Sequence, residues 1–279
     1  MKFLLKINKD LNLYPAEKNN LDGYILGIND FSICFGRTFN IDEIKKIRNE
    51  NIDKKIYVSL NRVIFNNELD NYKDILFKLD ELNLDGIIVG DVAALTYNLK
   101  TNIILDQLHL NNSFLTIKHY KNNNVRGIVL TNDIPYYDIN KIKEENSDII
   151  LFKQVFGLAH LSTSKRKLVS NYLKHFNINN DSNYYEIKEN NKEYSCIVKE
   201  DEFGTHIFNK KPLNLLSYID KINADYFVID DYLIDVDIKE LLEIYNSNNI
   251  SKDEYINTKY NADTGFINKE TIYKVKNNE

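Results

Sequence analysis

The sequence predicts an α/β fold, a parallel (β/α) TIM-barrel-like barrel with an insertion after the sixth strand. Short, almost continuously apolar segments recur through the first half of the chain, and segments of helical periodicity separate them. This alternation is typical of a parallel sheet covered by helices. Six repeats of the unit favour a barrel over an open sheet. The predicted strands are residues 23–28, 55–60, 85–89, 102–108, 126–130 and 148–155.

Amphipathic helices are predicted between these strands. Asn40 and Glu43 have the spacing of a capping box, in which each side chain hydrogen-bonds the backbone N–H of the other residue. This pair predicts a helix that begins at Ile41 and buries isoleucines on one face. Apolar side chains at helical spacing on one face predict a second helix over residues 69–82.

The regular alternation changes after the sixth predicted strand. Residues 157–192 combine a helix-like stretch with a polar, asparagine-rich loop, and one further helix–strand–helix unit follows the insertion. We therefore predict a single barrel-like domain over residues 1–250, an insertion at about 157–206, and a C-terminal tail over 251–279 that packs on the barrel. The later predicted elements are strands at 194–198, 204–208 and 225–229 and helices at 213–222 and 238–245.

Composition limits the classes of function. Lysine and arginine number 36 against 41 aspartates and glutamates, a net charge of −5, so no overall basic field marks a nucleic-acid-binding protein. A local basic patch is still compatible with this balance. Neither a signal peptide nor a membrane-spanning segment is predicted, because the apolar runs are too short. We interpret Cys34 and Cys196 as free thiols of a cytoplasmic protein that does not associate with membranes.

The sequence lacks a complete catalytic signature. Nucleophile-elbow, phosphate-loop, dinucleotide-binding and His-Glu-x-x-His motifs are all absent. Two cysteines cannot supply a zinc or iron–sulfur site by themselves, and a metal site needs at least three ligands at workable spacing. We therefore predict no metal and no resident cofactor.

Polar residues follow nearly every predicted strand, which is where (β/α) barrels carry their active sites. Each of them also has a structural interpretation, since Asn and Asp commonly cap the helix that follows. Asn61 and Asp91 are our candidates for ligand binding from this set. The full set comprises Asn29, Asp30, Asn61, Arg62, Asp91, Gln107, His109, Asn132, Asp133, Gln154, Asp230 and Asp231.

Two segments near the insertion, residues 156–172 and 200–208, concentrate polar and ionisable side chains. Ser164-Lys-Arg-Lys167 places an arginine beside hydroxyl groups, a combination that suits a carboxylate or a phosphate. A solvated basic helix face is the alternative. The candidates for ligand binding are Ser164, Arg166, Asn171, Tyr172 and Thr205, and the candidates for catalysis are His160, Glu202 and His206.

Both segments resemble peptidase family U32, the collagenase-like proteins of unassigned catalytic type. The resemblance rests mainly on Phe156-Gly157 followed by Ser164-Lys-Arg-Lys-Leu-Val-Ser-Asn-Tyr172, and on Asp201-Glu-Phe-Gly-Thr-His-Ile-Phe208. Residues 35–40, 55–61, 82–91 and 213–216 extend it over most of the chain. It implies a barrel-like fold and one of two activities: the peptidase (hydrolase) activity of the family label, or prephenate-dependent 5-hydroxylation of wobble uridine in tRNA.

The chain resembles a short, cysteine-poor branch of this family. Phe156 stands where many relatives carry histidine, the cysteines that bind an iron–sulfur cluster in some relatives are missing, and Asp106-Gln107-Leu108-His109 matches a glutamine-containing signature only loosely. The resemblance implies tRNA as a partner, prephenate as a candidate co-substrate, and a second family homologue as a candidate partner subunit. The leading hypothesis is a tRNA-hydroxylating enzyme or subunit, and the alternatives are a peptidase or a non-catalytic binding subunit.

Overall fold

The computed structural model describes residues 1–14, 21–108, 110–179, 182, 184–188 and 195–269. The strands in this part of the chain are β1 (Phe3–Lys6), β2 (Gly23–Ile28), β3 (Thr38–Phe39), β4 (Lys55–Leu60), β5 (Gly86–Val89), β6 (Ile103–Leu105), β7 (Val125–Val129), β8 (Ile150–Ser164), β9 (Tyr185–Lys188), β10 (Ser195–Asp201), β11 (Gly204–Asn214) and β12 (Tyr226–Asp230). The α-helices are α1 (Ile41–Glu50), α2 (Leu69–Asp80), α3 (Phe114–Asn122), α4 (Tyr136–Glu145), α5 (Leu168–His175), α6 (Ile238–Asn246) and α7 (Asp253–Tyr260).

Eight parallel strands close into a barrel in the order β1, β2, β4, β5, β6, β7, β8 and β12. Closure is made by β12, which pairs with β1 on one side and with β8 on the other. The predicted parallel (β/α) barrel is therefore confirmed.

The N-terminal strand β1 is the barrel strand that the sequence pattern did not predict. It has only four residues, Phe3–Lys6, of which the last is charged, and polar residues follow from Asn8, so it lacks the length of the other apolar runs. Its parallel pairing with β2 and β12 makes this segment a strand, and such long-range pairing cannot be predicted from four residues. Including β1 makes the strand predicted as the sixth the seventh of the barrel, and the insertion follows it.

The core has two layers, as expected when successive residues of a strand point to opposite sides. A larger cluster lies between the strands and the helices, and a smaller one fills the barrel interior. In the interior, Tyr57 packs edge-on against Phe152 with ring centroids 5.0 Å apart. The remaining interior side chains are Leu4, Ile25, Ile88, Ile104, Tyr226 and Val228. Because the interior is filled by apolar groups, space for a polar ligand is left at the mouth of the barrel.

The first predicted helix begins where its capping box requires. Asn40 Oδ1 accepts a hydrogen bond from the Glu43 N–H at 2.9 Å, and Glu43 Oε2 accepts one from the Asn40 N–H at 2.8 Å. Helix α1 accordingly starts at Ile41 and buries Ile44 and Ile47 against the sheet. Local side-chain chemistry therefore determines this helix boundary.

The predicted end of the sixth predicted strand at residue 155 is wrong, because β8 continues through Gly157 to Ser164. Its first half pairs with β12 inside the barrel, and its second half leaves the barrel to pair antiparallel with β11. The change of direction occurs at Gly157, whose φ of +123° is strained for residues with a side chain. A helix follows only at Leu168.

The predicted helix over 213–222 is also wrong at its start. Leu213 and Asn214 still belong to β11, where they pair with Gly157 and Phe156, and only Leu216–Lys221 forms a 3₁₀ helix. Long-range pairing thus overrides the local helical pattern. The predicted strand at 194–198 corresponds to β10, although its first residue, like His109 and part of the predicted loop, lies outside the described residues.

The described part of the C-terminal tail packs on the barrel. Ile256 of α7 is fully buried, and the backbone N–H of Tyr136 donates to Ile267 O at 2.8 Å. Residues 270–279 lie outside the described part of the chain. Across the described residues, no helix combines the length and apolar character that crossing a membrane requires.

Candidate functional site

A cavity of about 130 Å³ opens at the C-terminal ends of the barrel strands. Side chains from β1, β2, β4, β5, β8 and β12 and from the loops after β6 and β7 line it, so most of the barrel contributes to its wall. This is the end of a (β/α) barrel where ligands bind. Its principal polar side chains are Lys6, Asn61, Asp106, Asn132, Gln154 and Asp230.

Lys6 and Asp230 form an ion pair at the cavity wall, where β1 lies beside β12. Lys6 Nζ donates to Asp230 Oδ2 at 2.8 Å and to the carbonyl oxygen of Cys34 at 2.7 Å. Asn8 Nδ2 donates to the other oxygen of Asp230, also at 2.8 Å. The pair therefore joins two barrel strands to the loop after β2 and places one positive and one negative charge beside the cavity.

Asp106 adds a second carboxyl group to the cavity. Burial raises the pKa of this carboxyl, although the backbone N–H of Leu108 and the charge of Lys6 both act in the opposite direction. A carboxyl in this environment can accept a hydrogen bond when ionised and donate one when protonated. It suits a ligand that offers both kinds of polar group.

Asn132 and Gln154 are held in place by a chain of hydrogen bonds that begins at a buried lysine. Lys153 Nζ donates to Asn132 Oδ1 at 2.6 Å and to the carbonyl oxygen of Thr131 at 3.0 Å. Asn132 Nδ2 in turn donates to Gln154 Oε1 at 2.7 Å, and Gln154 Nε2 donates to the carbonyl oxygen of Leu158 at 3.2 Å. Lys153 is only 1% exposed, and burial lowers its pKa to about 7.

Asn61 lines the cavity, as its position after a strand predicted, but its amide also supports the loop after β2. Its Oδ1 accepts from the Ile33 N–H at 2.9 Å and its Nδ2 donates to Ile33 O at 3.2 Å. Asp91 does not line the cavity. Its carboxylate accepts from the backbone N–H groups of Ala93 and Ile64 at 2.9 and 3.2 Å, as the capping interpretation expects.

A group of sulfur and nitrogen atoms lies beside the cavity, where the loop after β2 meets β8 and β11. Cys34 Sγ is 3.9 and 3.8 Å from the two ring nitrogens of His160. Thr163 Oγ1 lies 2.8 Å from His160 Nε2 and 3.0 Å from His206 Nδ1. His206 Nε2 is 3.0 Å from Asp201 Oδ1. Two of the three predicted catalytic candidates, His160 and His206, are therefore brought together.

The thiol of Cys34 is not activated as a nucleophile in this arrangement. Burial raises its pKa to about 12, so the thiol is protonated at neutral pH. Nucleophilic cysteines instead sit in electropositive surroundings that lower their pKa. The neighbouring Asp201 has its pKa lowered: burial opposes this shift, and the hydrogen bonds from His206 and the Phe203 N–H together with the charge of Lys199 outweigh it.

Thr205 and Glu200 anchor the start of helix α5. Glu200 accepts hydrogen bonds from the backbone N–H groups of Val169 and Ser170, and its side chain also contacts the Ser170 hydroxyl. The buried Thr205 hydroxyl accepts from the Leu168 N–H at 2.9 Å. The N-terminal end of α5 is therefore satisfied by a carboxylate from β10.

The remaining predicted ligand-binding residues lie on the surface of the insertion and do not line the cavity. Ser164 Oγ accepts from the Arg166 N–H at 3.2 Å at the turn between β8 and α5. The side chains of Arg166, Asn171 and Tyr172 are exposed, as is that of the catalytic candidate Glu202. The structure thus separates a polar cavity from a surface that carries the predicted anion-binding arginine.

Lys6, Asp106 and Cys34 line the cavity but were not selected as site candidates from the sequence. Lys6 is the last residue of the short strand β1, so it can be placed at the C-terminal end of a barrel strand only once β1 is known to be a strand. Asp106 directly follows β6 (Ile103–Leu105). The predicted strand ran three residues further, to 108, so Asp106 was placed inside the strand and not at its end. Cys34 is 126 residues from His160 along the chain, and sequence spacing gave no signal that they meet.

The closed parallel barrel with a polar cavity at the C-terminal ends of its strands places the chain among (β/α)-barrel proteins that bind their ligands at that end. Residues 12–273 match the family model described as Peptidase family U32, so the chain belongs to peptidase family U32. The resemblance expected from the sequence is therefore confirmed. A solved structure described as a U32 peptidase superposes with a TM-score of 0.51 at 11% identity, covering 82% of this chain and 92% of that one, a similarity that shows the fold alone.

Two similar proteins have names that refer to tRNA. The chain is 23% identical to tRNA hydroxylation protein P2 of Bacillus subtilis (strain 168), over 94% of this chain and 96% of the relative. It is 28% identical to tRNA hydroxylation protein P of Helicobacter pylori (strain J99), over 70% of this chain and 50% of the relative. The chain thus spans about half the length of the Helicobacter relative.

Proposed function

We propose that the protein takes part in the 5-hydroxylation of wobble uridine in tRNA, as an enzyme or as a subunit of one. The observation that carries this proposal is the polar cavity at the mouth of a U32-family barrel whose similar proteins are named for tRNA hydroxylation. Enzymes that modify a base must take it out of its stack into a pocket, and a cavity of this kind can receive one base.

The cavity offers the polar groups that a uracil ring needs. The Watson–Crick edge of uracil presents one N–H donor between two carbonyl acceptors. The Asp106 carboxyl can accept from the N–H or, when protonated, donate to a carbonyl. Lys6 donates to Cys34 O and Asp230, and an ammonium has a third N–H for a ligand carbonyl. Asn132 and Gln154, fixed by Lys153, line the same cavity between these groups.

The exposed cations of the insertion supply contacts to the tRNA backbone in this proposal. Arg166 and Lys167 are exposed at the turn between β8 and α5, on the surface outside the cavity. Arginine binds phosphate through two parallel N–H groups, and such contacts release counterions from the nucleic acid. A local basic surface therefore serves binding although the chain as a whole carries a net charge of −5.

The co-substrate, the partner and the location belong to the same proposal. Prephenate is the candidate co-substrate, and a second homologue of the family is the candidate partner subunit, as the family resemblance implies. The site of action is the cytoplasm, where tRNA is found. The Cys34 thiol, protonated and buried, supports tRNA modification over a cysteine-peptidase mechanism.

The proposal is tested by mass spectrometry of tRNA nucleosides from cells that lack the gene and carry one of several complementing copies. The wild-type copy is expected to restore the 5-hydroxyuridine-derived nucleosides, and the Asp106→Ala copy to restore at most a tenth of that amount. Asp70→Asn, an exposed carboxylate in the first turn of α2, is the matched control that restores them fully.

A second measurement addresses tRNA binding by the purified protein, alone and with its homologue. Arg166→Glu is expected to weaken binding and to reduce the dependence of the affinity on salt, whereas Lys46→Glu on helix α1 leaves both unchanged. An unchanged nucleoside profile in the deletion strain, also when each remaining homologue is deleted, would overturn the proposal. Peptide cleavage abolished by His160→Ala would support the peptidase alternative.

A further inference from the structure

Among the residues that the structure describes, three metal-binding side chains converge from separate parts of the chain. Cys34 lies in the loop after β2, His160 in β8 and His206 in β11, and their ligand atoms all lie within 4.8 Å of one another. No local motif creates this group. The antiparallel pairing of β8 with β11 brings His160 and His206 together, and the loop after β2 places Cys34 beside them. We propose that Cys34, His160 and His206 form a binding site for a zinc-like divalent cation at the wall of the barrel cavity.

The distances are close to those of a tetrahedral zinc site. Zinc binds sulfur at about 2.3 Å and imidazole nitrogen at about 2.0–2.1 Å, so its sulfur and nitrogen ligands lie roughly 3.5 Å apart. Cys34 Sγ is already 3.8 Å from His160 Nε2 and 3.9 Å from Nδ1. The three ligand atoms lie within 4.8 Å of one another, so closing the group around one cation brings the most distant pair closer by at most about 1.5 Å.

Neighbouring side chains orient the histidines of this group. Metal-binding histidines usually donate their other ring nitrogen to a carboxylate or a carbonyl. Asp201 Oδ1 lies 3.0 Å from His206 Nε2, which directs Nδ1 of that ring towards Thr163 and His160. Thr163 Oγ1 lies between the two imidazoles, 2.8 Å from His160 Nε2, at the place where both nitrogens point. A bound cation would take over these contacts.

The backbone holds Cys34 in place without a metal. Its φ of +62° is unusual for a residue with a side chain, and its carbonyl oxygen accepts a hydrogen bond from Lys6 at 2.7 Å. The preceding residue, Ile33, is held by both ends of the Asn61 amide. Two barrel strands therefore fix the loop that delivers the sulfur.

The donor set and its position define the cation. A bound cation displaces the proton of the Cys34 thiol, which leaves to solvent, so the ligands of the cation are one thiolate and two imidazoles. These ligands favour zinc over magnesium or calcium, which prefer oxygen. Nearby charges balance, since Lys6 and Lys199 face Asp201 and Asp230 around the sulfur. Three protein ligands leave a fourth position of a tetrahedral ion for another ligand. Cys34 and His160 line the cavity, so that position is accessible to a molecule bound there.

The test is metal binding by the full chain. Protein stripped with a chelator is titrated with Co²⁺ and then with Zn²⁺. The expected result is a near-ultraviolet thiolate-to-cobalt band that saturates at one Co²⁺ per chain and is displaced by Zn²⁺ but not by Mg²⁺. Cys34→Ser is expected to abolish the band, and Asp201→Asn to weaken Zn²⁺ binding by about 10–100-fold.

Two substitutions serve as matched controls. Cys196→Ser removes the other cysteine, which is half-buried in β10, and His175→Gln removes an exposed histidine at the end of α5. Both should retain the cobalt band. A wild-type protein that gives no thiolate-to-cobalt band would overturn the proposal whether or not the variants fold. A band that survives Cys34→Ser and disappears in Cys196→Ser would also overturn it.

Discussion

Replacement of Lys153 by methionine removes an ionisable group that is 1% exposed and fully enclosed by the fold. Burial lowers the pKa of Lys153 to about 7, against about 10.4 for an unfolded lysine. Between these values the unfolded chain binds one proton more than the folded chain, so stability rises with pH by up to about 1.4 kcal/mol per unit. At pH 7 the buried lysine lowers the free energy of unfolding by roughly 4 kcal/mol relative to a permanently neutral side chain.

The hydrogen bonds of Lys153 offset part of this cost. Its contacts with Thr131 O and Asn132 Oδ1 contribute roughly 1–3 kcal/mol, and methionine loses them. Lys153→Met is therefore expected to raise the free energy of unfolding at pH 7 by about 1–3 kcal/mol. This advantage should shrink by about 2 kcal/mol at pH 9, because the wild type gains stability there as the unfolded lysine approaches its own pKa.

Urea denaturation at pH 7, 8 and 9 measures both effects. The comparison uses the difference between variant and wild type, since all other titrating groups are common to the two. Lys46→Met, at a side chain that is 75% exposed, is the matched control and should leave the pH slope unchanged. A difference between Lys153→Met and wild type that is the same at pH 7 and pH 9 would refute the reasoning. The variant should also lower tRNA hydroxylation, because Asn132 and Gln154 lose their support.

Three further substitutions test contacts that hold the structure around the cavity and the insertion. Gly157→Ala would place a Cβ 2.2 Å from the Asp230 carbonyl oxygen, at a φ of +123°. It should therefore lower the free energy of unfolding by at least about 2 kcal/mol in urea denaturation. A variant as stable as the wild type would show that the site tolerates a side chain. Glu68→Gln removes a carboxylate whose pKa is lowered to about 2: burial opposes the shift, and hydrogen bonds from the Phe65 N–H, Arg62 and Lys165 produce it. Its loss should lower the free energy of unfolding by about 1 kcal/mol at pH 7. The difference in stability between variant and wild type should shrink as the pH drops from 4.5 towards 2, and a difference that does not change with pH would refute this prediction. Glu200→Gln weakens the cap of α5 and should cost about 1 kcal/mol, with faster proteolysis of the insertion as the second readout; equal cleavage rates would count against it.

Much of the barrel follows from local sequence chemistry. The apolar strands β2, β4, β5 and β7 coincide closely with predicted segments, because residues buried on both faces form continuous apolar runs. The capping box before α1 likewise determines where that helix begins. Errors occurred where pairing over long distances decides the conformation, as in β8 beyond Gly157 and in the last residues of β11.

The candidate site was predicted less completely than the fold. Asn61 and His160 were selected from the sequence and line the cavity, whereas Arg166 and Tyr172 lie on the exposed surface of the insertion. Polar residues after strands could be named from the alternation alone. Which of them point into the cavity and which cap a helix, as Asp91 does, depends on the direction of each side chain.

The sequence by itself determined the parallel (β/α) architecture, the family and the segments that carry polar side chains. Periodicity, capping and motif residues are local properties, so they can be read along the chain. Only the tertiary structure decided that Lys6 meets Asp230, and that Cys34 lies beside His160 and His206. These contacts join residues more than a hundred positions apart, and closure of the barrel, which no single segment encodes, brings them together.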